Sequence, residues 1–212
     1  MLDERALKTP MRNQLVLPTT ALADAVVAEW LSVAEVIDPL HMPITGFANA
    51  AIDHVAPDRA GFAAKIAAYA ETDAFCYRAD AEDVLAARQA LEWDPWLDWA
   101  RTHYDVEFTL VEGIMHRPQP EAMLAKLSLI VAARGTFELA AMAKLAHLSG
   151  SLVATLAIVE GQGDAATIWT ACCLDEIWQE ELWGTDYWAQ KNRTDREAEF
   201  TQAAQFLKLL RA

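Results

Sequence analysis

The stretch Asp164–Trp188 constrains this chain more than any other, because it combines helical periodicity with acidic side chains in unusual places. At about 100° per residue, Trp169, Glu176 and Trp183 fall on one stripe of a single predicted helix. A carboxylate therefore lies in the middle of an aromatic stripe. Asp175, its neighbour in the chain, also has apolar surroundings, so neither acid occupies the solvated face where acids usually lie.

Two interpretations of these acids remain open. In one, both pair with basic residues of the same chain, the ordinary outcome for a generic helix. In the other, one of them faces a partner; Glu176, held among aromatic rings, loses hydration and needs a cation nearby or a raised pKa. Large aromatics beside a few charges are also typical of binding hot spots. The candidate partner-binding residues are Glu176, Asp175, Glu180, Trp178, Trp183 and Asp186.

The composition of this 212-residue chain narrows the class of protein. Hydrophobic residues make up 54% of it, which excludes general disorder. The formal net charge of −14 argues against binding to nucleic acid or to an anionic membrane, because both would repel the chain. The three cysteines are an odd number and two are adjacent, so we predict no disulfide framework and a reducing compartment.

The pattern of apolar residues predicts a mainly α fold, with a multi-helix C-terminal bundle and a small β-containing (α+β) N-terminal domain. Residues 2–9 and 14–17 favour a β-hairpin. We place this hairpin and the helix after it in one domain, residues 1–42. The helical domain then comprises residues 43–212.

Local patterns make four further predictions. The alternation in Val106–Ile114 predicts a strand. Pro95 predicts a break in the helix that begins near Ala81, because proline removes a backbone donor. Ala165–Leu182 is predicted as one uninterrupted helix, and the chain from Gln119 onwards is predicted to be helical throughout.

Motifs for catalysis are absent from the sequence. It lacks the glycine-rich phosphate loop with its lysine, the ligand spacings of zinc sites and a nucleophile elbow. The string Gly161-Gln162-Gly163 imitates a dinucleotide-binding turn, but we interpret it as a loop because strands and helices do not alternate around it. We therefore predict no catalytic residue, no cofactor and no metal, which favours a binding protein over an enzyme.

One segment resembles a family signature. The chain is similar to the ATP synthase assembly chaperones that hold the free alpha subunit, ATP synthase assembly factor family two, in the string Leu174-Asp175-Glu176-x-Trp178-Gln179-x-Glu181-x-Trp183-Gly184-x-Asp186. The similarity continues along nearly the whole chain, in Leu2-Asp3-x-Arg5-x-Leu7-Lys8-Thr9-Pro10, Ile37-Asp38-Pro39-x-x-Met42-Pro43, Ala48-Asn49-x-Ala51-Ile52-Asp53 and Trp93-Asp94-Pro95.

The resemblance implies a chaperone that binds the newly made alpha subunit and shields its interface until the beta subunit arrives. It marks the acidic position of the signature as important, which is Glu176 or, if the alignment slips by one, Asp175. We expect a monomer, and no membrane insertion, because the apolar runs are too short to span a bilayer. The absence of an Arg-rich presequence favours the bacterial cytoplasm, whereas eukaryotic relatives act in the mitochondrial matrix. The family would carry another short β-rich segment upstream, which suggests that a piece is missing here.

A rival interpretation comes from a different class of protein. The chain would then be a helical enzyme or small-molecule-binding protein with an acid–aromatic cleft around Glu176, because a perturbed acid among tryptophans is also typical of a general acid. Co-purification distinguishes the two, since only the chaperone should retain an alpha subunit.

Overall fold

The computed structural model describes residues 6–212 and is mainly α-helical. Its helices are α1 (Thr20–Leu31), α2 (Pro43–Ala50), α3 (Arg59–Ala67), α4 (Val84–Tyr104), α5 (Glu121–Ala132), α6 (Thr136–Ser149), α7 (Leu152–Glu160), α8 (Ala165–Cys172), α9 (Leu174–Trp183) and α10 (Tyr187–Arg211). Two short strands, β1 (Tyr77–Arg78) and β2 (Val111–Glu112), pair in parallel, with Tyr77 opposite Val111. The predicted class, mainly α with a small β-containing part, is confirmed.

The centre of the fold is α7, whose buried run Leu152–Val159 is apolar except for Thr155, and the Thr155 hydroxyl donates to the carbonyl of Ser151 (2.8 Å). Every residue from Leu152 to Val159 is buried. A helix without a polar face has to be covered all round, and α4, α6, α8 and α10 pack against it. Phe200 and Phe206 bring the carboxy-terminal half of α10 into the same core.

A buried carboxylate completes the amino-terminal end of α7. Asp73 is fully buried and accepts hydrogen bonds from the backbone N–H groups of Val153 (2.9 Å) and Phe75 (3.0 Å). The first N–H groups of a helix have no partner within the helix, so Asp73 supplies one. Its burial raises the pKa of Asp73 to about 6, although these hydrogen bonds oppose the shift.

The predicted break at Pro95 is wrong, because α4 runs through the proline without interruption. A proline in a helix leaves the carbonyl four residues earlier without its N–H donor. Here that residue is Leu91, which lies on the exposed side of α4. Trp93 and Leu97 are buried on either side of Pro95, and their packing holds both halves of the helix in line.

The predicted strand Val106–Ile114 is paired over only two residues, Val111 and Glu112. The alternation holds for Val106 and Phe108, which are buried, but it slips by one residue after them, because Leu110 is exposed and Val111 is buried. The side chain of Gln119 takes the place of a neighbouring strand. Its carbonyl oxygen accepts from the Thr109 N–H (2.9 Å) and its amide donates to the Thr109 carbonyl (2.8 Å).

From residue 6 onwards, the predicted amino-terminal hairpin is one antiparallel bridge, between Lys8 and Gln14, around a turn in which Arg12 has a positive φ. Its residues 2–5 lie outside the described part of the chain. The carboxylate of Asp53 holds the turn against the helical region. It accepts hydrogen bonds from Thr9 Oγ1 (2.6 Å), Asn13 Nδ2 (2.8 Å) and the Met11 N–H (3.1 Å).

The division of the chain at residue 42 stays a prediction, and truncation tests it. We expect deletion of residues 1–18 to leave the helical core folded, because Thr9 is the only buried residue among the described residues 6–18. Leu15 and Leu17 pack only partly on the core, so the deletion should lower the free energy of unfolding by about 1–3 kcal/mol. Circular dichroism melts measure this, with Asp53→Ala as a milder variant that releases the turn. Loss of most of the helix at room temperature would show that the division is wrong.

Glu160, at the end of α7, forms a partly buried ion pair with Arg134, and Tyr104 donates a second hydrogen bond to it (3.1 Å). Burial alone would raise the pKa of Glu160. The hydrogen bonds from Arg134 and Tyr104, together with the charge of Arg134, outweigh burial and hold the pKa below its ordinary value.

This lowered pKa predicts a pH dependence of stability. A carboxylate with a depressed pKa in the folded state contributes stability above its unfolded pKa and loses it as the pH falls through the folded value. Glu160→Gln should therefore reduce the free energy of unfolding by about 1–3 kcal/mol at pH 7, and the difference from the wild type should shrink as the pH falls below 4.5. Urea unfolding at several pH values measures it, with the exposed Glu82→Gln as the control. A difference that does not change with pH would contradict this assignment.

Candidate functional site

The segment Asp164–Trp188 contains two helices where one was predicted. The chain turns at Cys173, between α8 and α9, and Cys173 and Leu174 are both buried there. The indole N–H of Trp93 donates to the carbonyl of Ala171 (2.8 Å), the group that would accept from Asp175 in a continuous helix. A tertiary hydrogen bond thus accompanies the break, and the predicted single stripe ends at this point.

Beyond the break, α9 and the first half of α10 form a projecting corner, residues 175–199, called here the α9–α10 corner. Within this described stretch every residue is at least partly exposed. Gly184, at φ +88, ends α9, and Asp186 caps α10 by accepting from the Ala189 N–H (2.8 Å). The corner therefore lies outside the apolar core that the second half of α10 enters.

Glu176 pairs with a basic residue of its own chain. Both of its carboxylate oxygens accept from Nη2 of Arg196, at 2.8 and 2.6 Å, and the Arg196 guanidinium lies over the ring of Trp169. The Glu176 side chain is 45% exposed, so the expected loss of hydration between aromatic rings is not observed. Of the two interpretations of the acids, pairing with a basic residue of the same chain describes the geometry of Glu176.

Two further ion pairs hold α9 in place. Glu180 accepts from both terminal nitrogens of Arg193 on α10, at 2.8 and 2.7 Å, and both side chains are largely buried. Glu181 pairs in the same forked way with Arg88 on α4. Forked pairs between arginine and a carboxylate fix orientation as well as distance, so they anchor α9 to its two neighbours.

The predicted binding residues divide into two groups. Glu176, Glu180, Trp183 and Asp186 line one open groove of about 500 Å³ between α9 and the start of α10. Asp175 and Trp178 instead face α4. Asp175 accepts from the side-chain amide of Gln89 (2.8 Å), and the ring of Trp178 lies under the guanidinium of Arg88.

The tip of the corner carries exposed apolar side chains that the sequence analysis used only in part. Tyr187 packs edge-on against Trp188, with ring centroids 5.2 Å apart. More than half of each tip side chain is exposed: Leu182 (56%), Trp183 (77%), Tyr187 (66%) and Trp188 (72%). Of these four, only Trp183 was among the candidate residues, and Leu182, Tyr187 and Trp188 were missed. The signal that could have found them is the glycine at 184, which ends one helix and brings the aromatics on either side of it to a common tip.

Other chemistry in the described residues is sparse. Between residues 6 and 212, no group of three histidine, cysteine or acidic side chains could hold a metal ion, and no helix there is long and apolar enough to cross a membrane. Cys76, Cys172 and Cys173 are free thiols, and burial raises the pKa of Cys173 to about 12. Gly161 follows a helix and not a strand, which confirms the loop interpretation.

Comparison with known proteins gives consistent results. A family model described as ATP12 chaperone protein matches residues 1–101. The crystal structure of Atp12 from Paracoccus denitrificans has 41% sequence identity and a TM-score of 0.96, covering 99% of this chain and 90% of that one. A putative chaperone from Agrobacterium tumefaciens has 37% identity and a TM-score of 0.92, covering 100% of this chain and 78% of that one.

The fold and the corner define a mainly α-helical protein with an exposed, ion-paired corner outside its core. The chain belongs to the ATP12 chaperone family. The resemblance stated from the sequence is therefore confirmed. The α9–α10 corner lies outside the residues matched by the family model but within the part of the chain covered by the two solved structures.

The half-exposed geometry of the Glu176–Arg196 pair predicts a small contribution to stability. A double-mutant cycle with Glu176→Gln and Arg196→Gln should give a coupling energy of at most about 1 kcal/mol, because exposed pairs rarely exceed it. The forked and more buried Glu180–Arg193 pair should give about 1–3 kcal/mol in the matched cycle. Chemical denaturation measures both. If Glu176→Gln alone unfolds the protein, Glu176 is an internal structural acid.

Proposed function

We propose that this protein is a chaperone for assembly of the ATP synthase catalytic head, which binds the free alpha subunit through the α9–α10 corner before the beta subunit arrives. Free subunits of a ring expose apolar interface surfaces that aggregate or pair wrongly, and reversible covering suppresses both. The incoming beta subunit displaces the chaperone by making a larger interface. No nucleotide hydrolysis and no enzymatic step belong to this proposal, and we place the protein in the bacterial cytoplasm as a monomer.

The observation that carries the proposal is the exposed apolar tip. Four large apolar side chains lie close together in the chain there, on either side of Gly184, and each is more than half exposed: Leu182, Trp183, Tyr187 and Trp188. Exposed apolar surface with a polar rim marks interaction sites on soluble proteins, and tryptophan and tyrosine dominate binding hot spots. An apolar interface patch on a partner subunit matches this tip in chemistry.

The ion pairs beneath the tip support binding in a second way. Arg88 and Arg193 fix α9 from two sides, so the tip is presented on a rigid helix. A partner then binds without the entropic cost of ordering a flexible segment. Family membership supports the chaperone role, and the resemblance of the signature around Glu176 supports the alpha subunit as the partner.

The tip can be tested by truncating Trp183 and Trp188 to alanine together. We expect the affinity for soluble alpha subunit to fall by at least about thirtyfold, because hot-spot tryptophans typically contribute 2 kcal/mol or more each, in rough terms. Calorimetric titration measures binding, and light scattering of alpha subunit alone and with chaperone measures protection from aggregation.

A matched control is Leu129→Ala on α5, which removes an equally exposed apolar side chain from a helix that packs against α3. This variant should bind and protect the alpha subunit like the wild type. Unchanged binding by the double tryptophan variant would exclude the tip as the contact surface. Failure of the wild-type protein to bind the alpha subunit at all would overturn the proposed function.

A further inference from the structure

We propose that the Glu176–Arg196 pair is an exchangeable contact: in the complex an arginine or lysine of the alpha subunit takes the Glu176 carboxylate, and Arg196 moves away. Arg196 then acts in the free protein as an internal competitor for its own partner. It sets the affinity and selects for a cationic side chain at this position. This inference rests on the proposed function and adds to it the chemistry that Glu176 recognises.

The geometry of the pair shows why it can exchange. One nitrogen of Arg196, Nη2, serves both oxygens of Glu176, whereas Nε of Arg196 is buried and has no hydrogen-bond partner in the described structure. A forked pair would use two nitrogens, as Arg193 does with Glu180. A buried donor without an acceptor is unfavourable, so Arg196 is held less well than Arg193, although both lie on α10.

The surroundings give an incoming cation access to Glu176. The Glu176 and Arg196 side chains are 45% and 29% exposed, and both line the open groove between α9 and α10. Glu180 in the same groove is tied to Arg193, and Asp186 caps α10. Glu176 is therefore the groove carboxylate whose present partner is the least firmly bound.

The exposed tip lies directly beside this groove. Trp183 belongs to both, since it lines the groove and is 77% exposed at the tip. A partner segment whose apolar surface covers the tip would therefore bring a neighbouring cationic side chain to Glu176. The tip supplies apolar contact area, and the carboxylate supplies selection by charge, because a misplaced acid would be repelled.

Substitution of Arg196 separates competition from a structural role. Arg196→Gln frees Glu176, so the affinity for alpha subunit should rise by about two- to fivefold, the range expected for release of an exposed pair. The Arg196→Lys variant keeps a cation that competes for Glu176, so its affinity for the alpha subunit should be lower than that of the Arg196→Gln variant. Glu176→Gln removes the receiving carboxylate and should weaken binding by roughly thirtyfold.

A change in net charge could alter affinity without any exchange, and Lys126→Gln controls for this. It removes one positive charge and one surface ion pair, with Asp105, on α5. It should bind like the wild type. If Lys126→Gln tightens binding as much as Arg196→Gln does, or if Arg196→Gln leaves affinity unchanged or lowers it, the exchange is excluded.

Movement of Arg196 can be observed directly in the wild-type protein, whatever the folding of the variants. The Arg196 guanidinium lies 5.5 Å from the ring centre of Trp169, so Trp169 reports on its position. In protein labelled with fluorotryptophan, the fluorine resonance of Trp169, assigned with Trp169→Phe, should shift when alpha subunit saturates the chaperone. A resonance that stays in place would overturn the exchange.

The two proposals fail in different ways. If wild-type protein does not bind the alpha subunit, the proposed function falls, and the exchange falls with it. If the wild type binds and the tip variant does not, but the Trp169 resonance and the Arg196→Gln affinity are unchanged, the chaperone proposal stands and only the exchange is wrong.

Discussion

The burial of α7 is the constraint on which the rest of the structure depends. Leu152–Val159 offers no polar face, so helices must cover it on every side, and each end of the helix needs polar partners. Asp73 supplies them at the amino-terminal end. At the other end Arg211, from the last turn of α10, donates to the carbonyl of Ile158 (2.9 Å), and Glu160 pairs with Arg134. Both ends of the described chain join this core. The hydroxyl of Thr19, just before α1, donates to the carbonyl of Leu209 in the last turn of α10.

The same constraint leaves the α9–α10 corner outside the core. Phe200 and Phe206 commit the second half of α10 to α7 and its neighbours, and once that half is fixed the first half extends beyond the bundle. The charged side chains in this first half of α10 pair with acids, as Arg193 does with Glu180. Directional ion pairs thus stabilise the corner, while the apolar side chains of its tip stay at the surface.

The sequence predicts what depends on periodicity and misses what depends on contacts made far along the chain. The mostly apolar run in α7 and the helical carboxy-terminal half follow from spacing alone. The break at Cys173 does not, because it accompanies a hydrogen bond from Trp93, 78 residues from Ala171 in the chain. Likewise Pro95 is tolerated because packing on both sides of it overrides a local preference. Glu176 could be chosen from its aromatic stripe, but its pairing with Arg196 depends on the turn at Gly184, whose angle the sequence does not specify.

Ion pairs that join α9 to α10 have a physical advantage for a protein whose tip keeps apolar residues exposed. If α9 and α10 met through an apolar seam, Leu182, Trp183, Tyr187 and Trp188 could gain by folding into it, because hydrophobic burial has no preferred direction. Covering an ion pair with those apolar side chains would instead be unfavourable, because the charged groups would lose their hydration. The tip therefore remains at the surface, where in the proposed complex it meets the alpha subunit, and the half-exposed Glu176 beside it remains accessible to a second cation. The rigidity of α9 and the exposure of the tip thus have the same origin, because ion pairs of Glu176 with Arg196 and of Glu180 with Arg193 join α9 to α10.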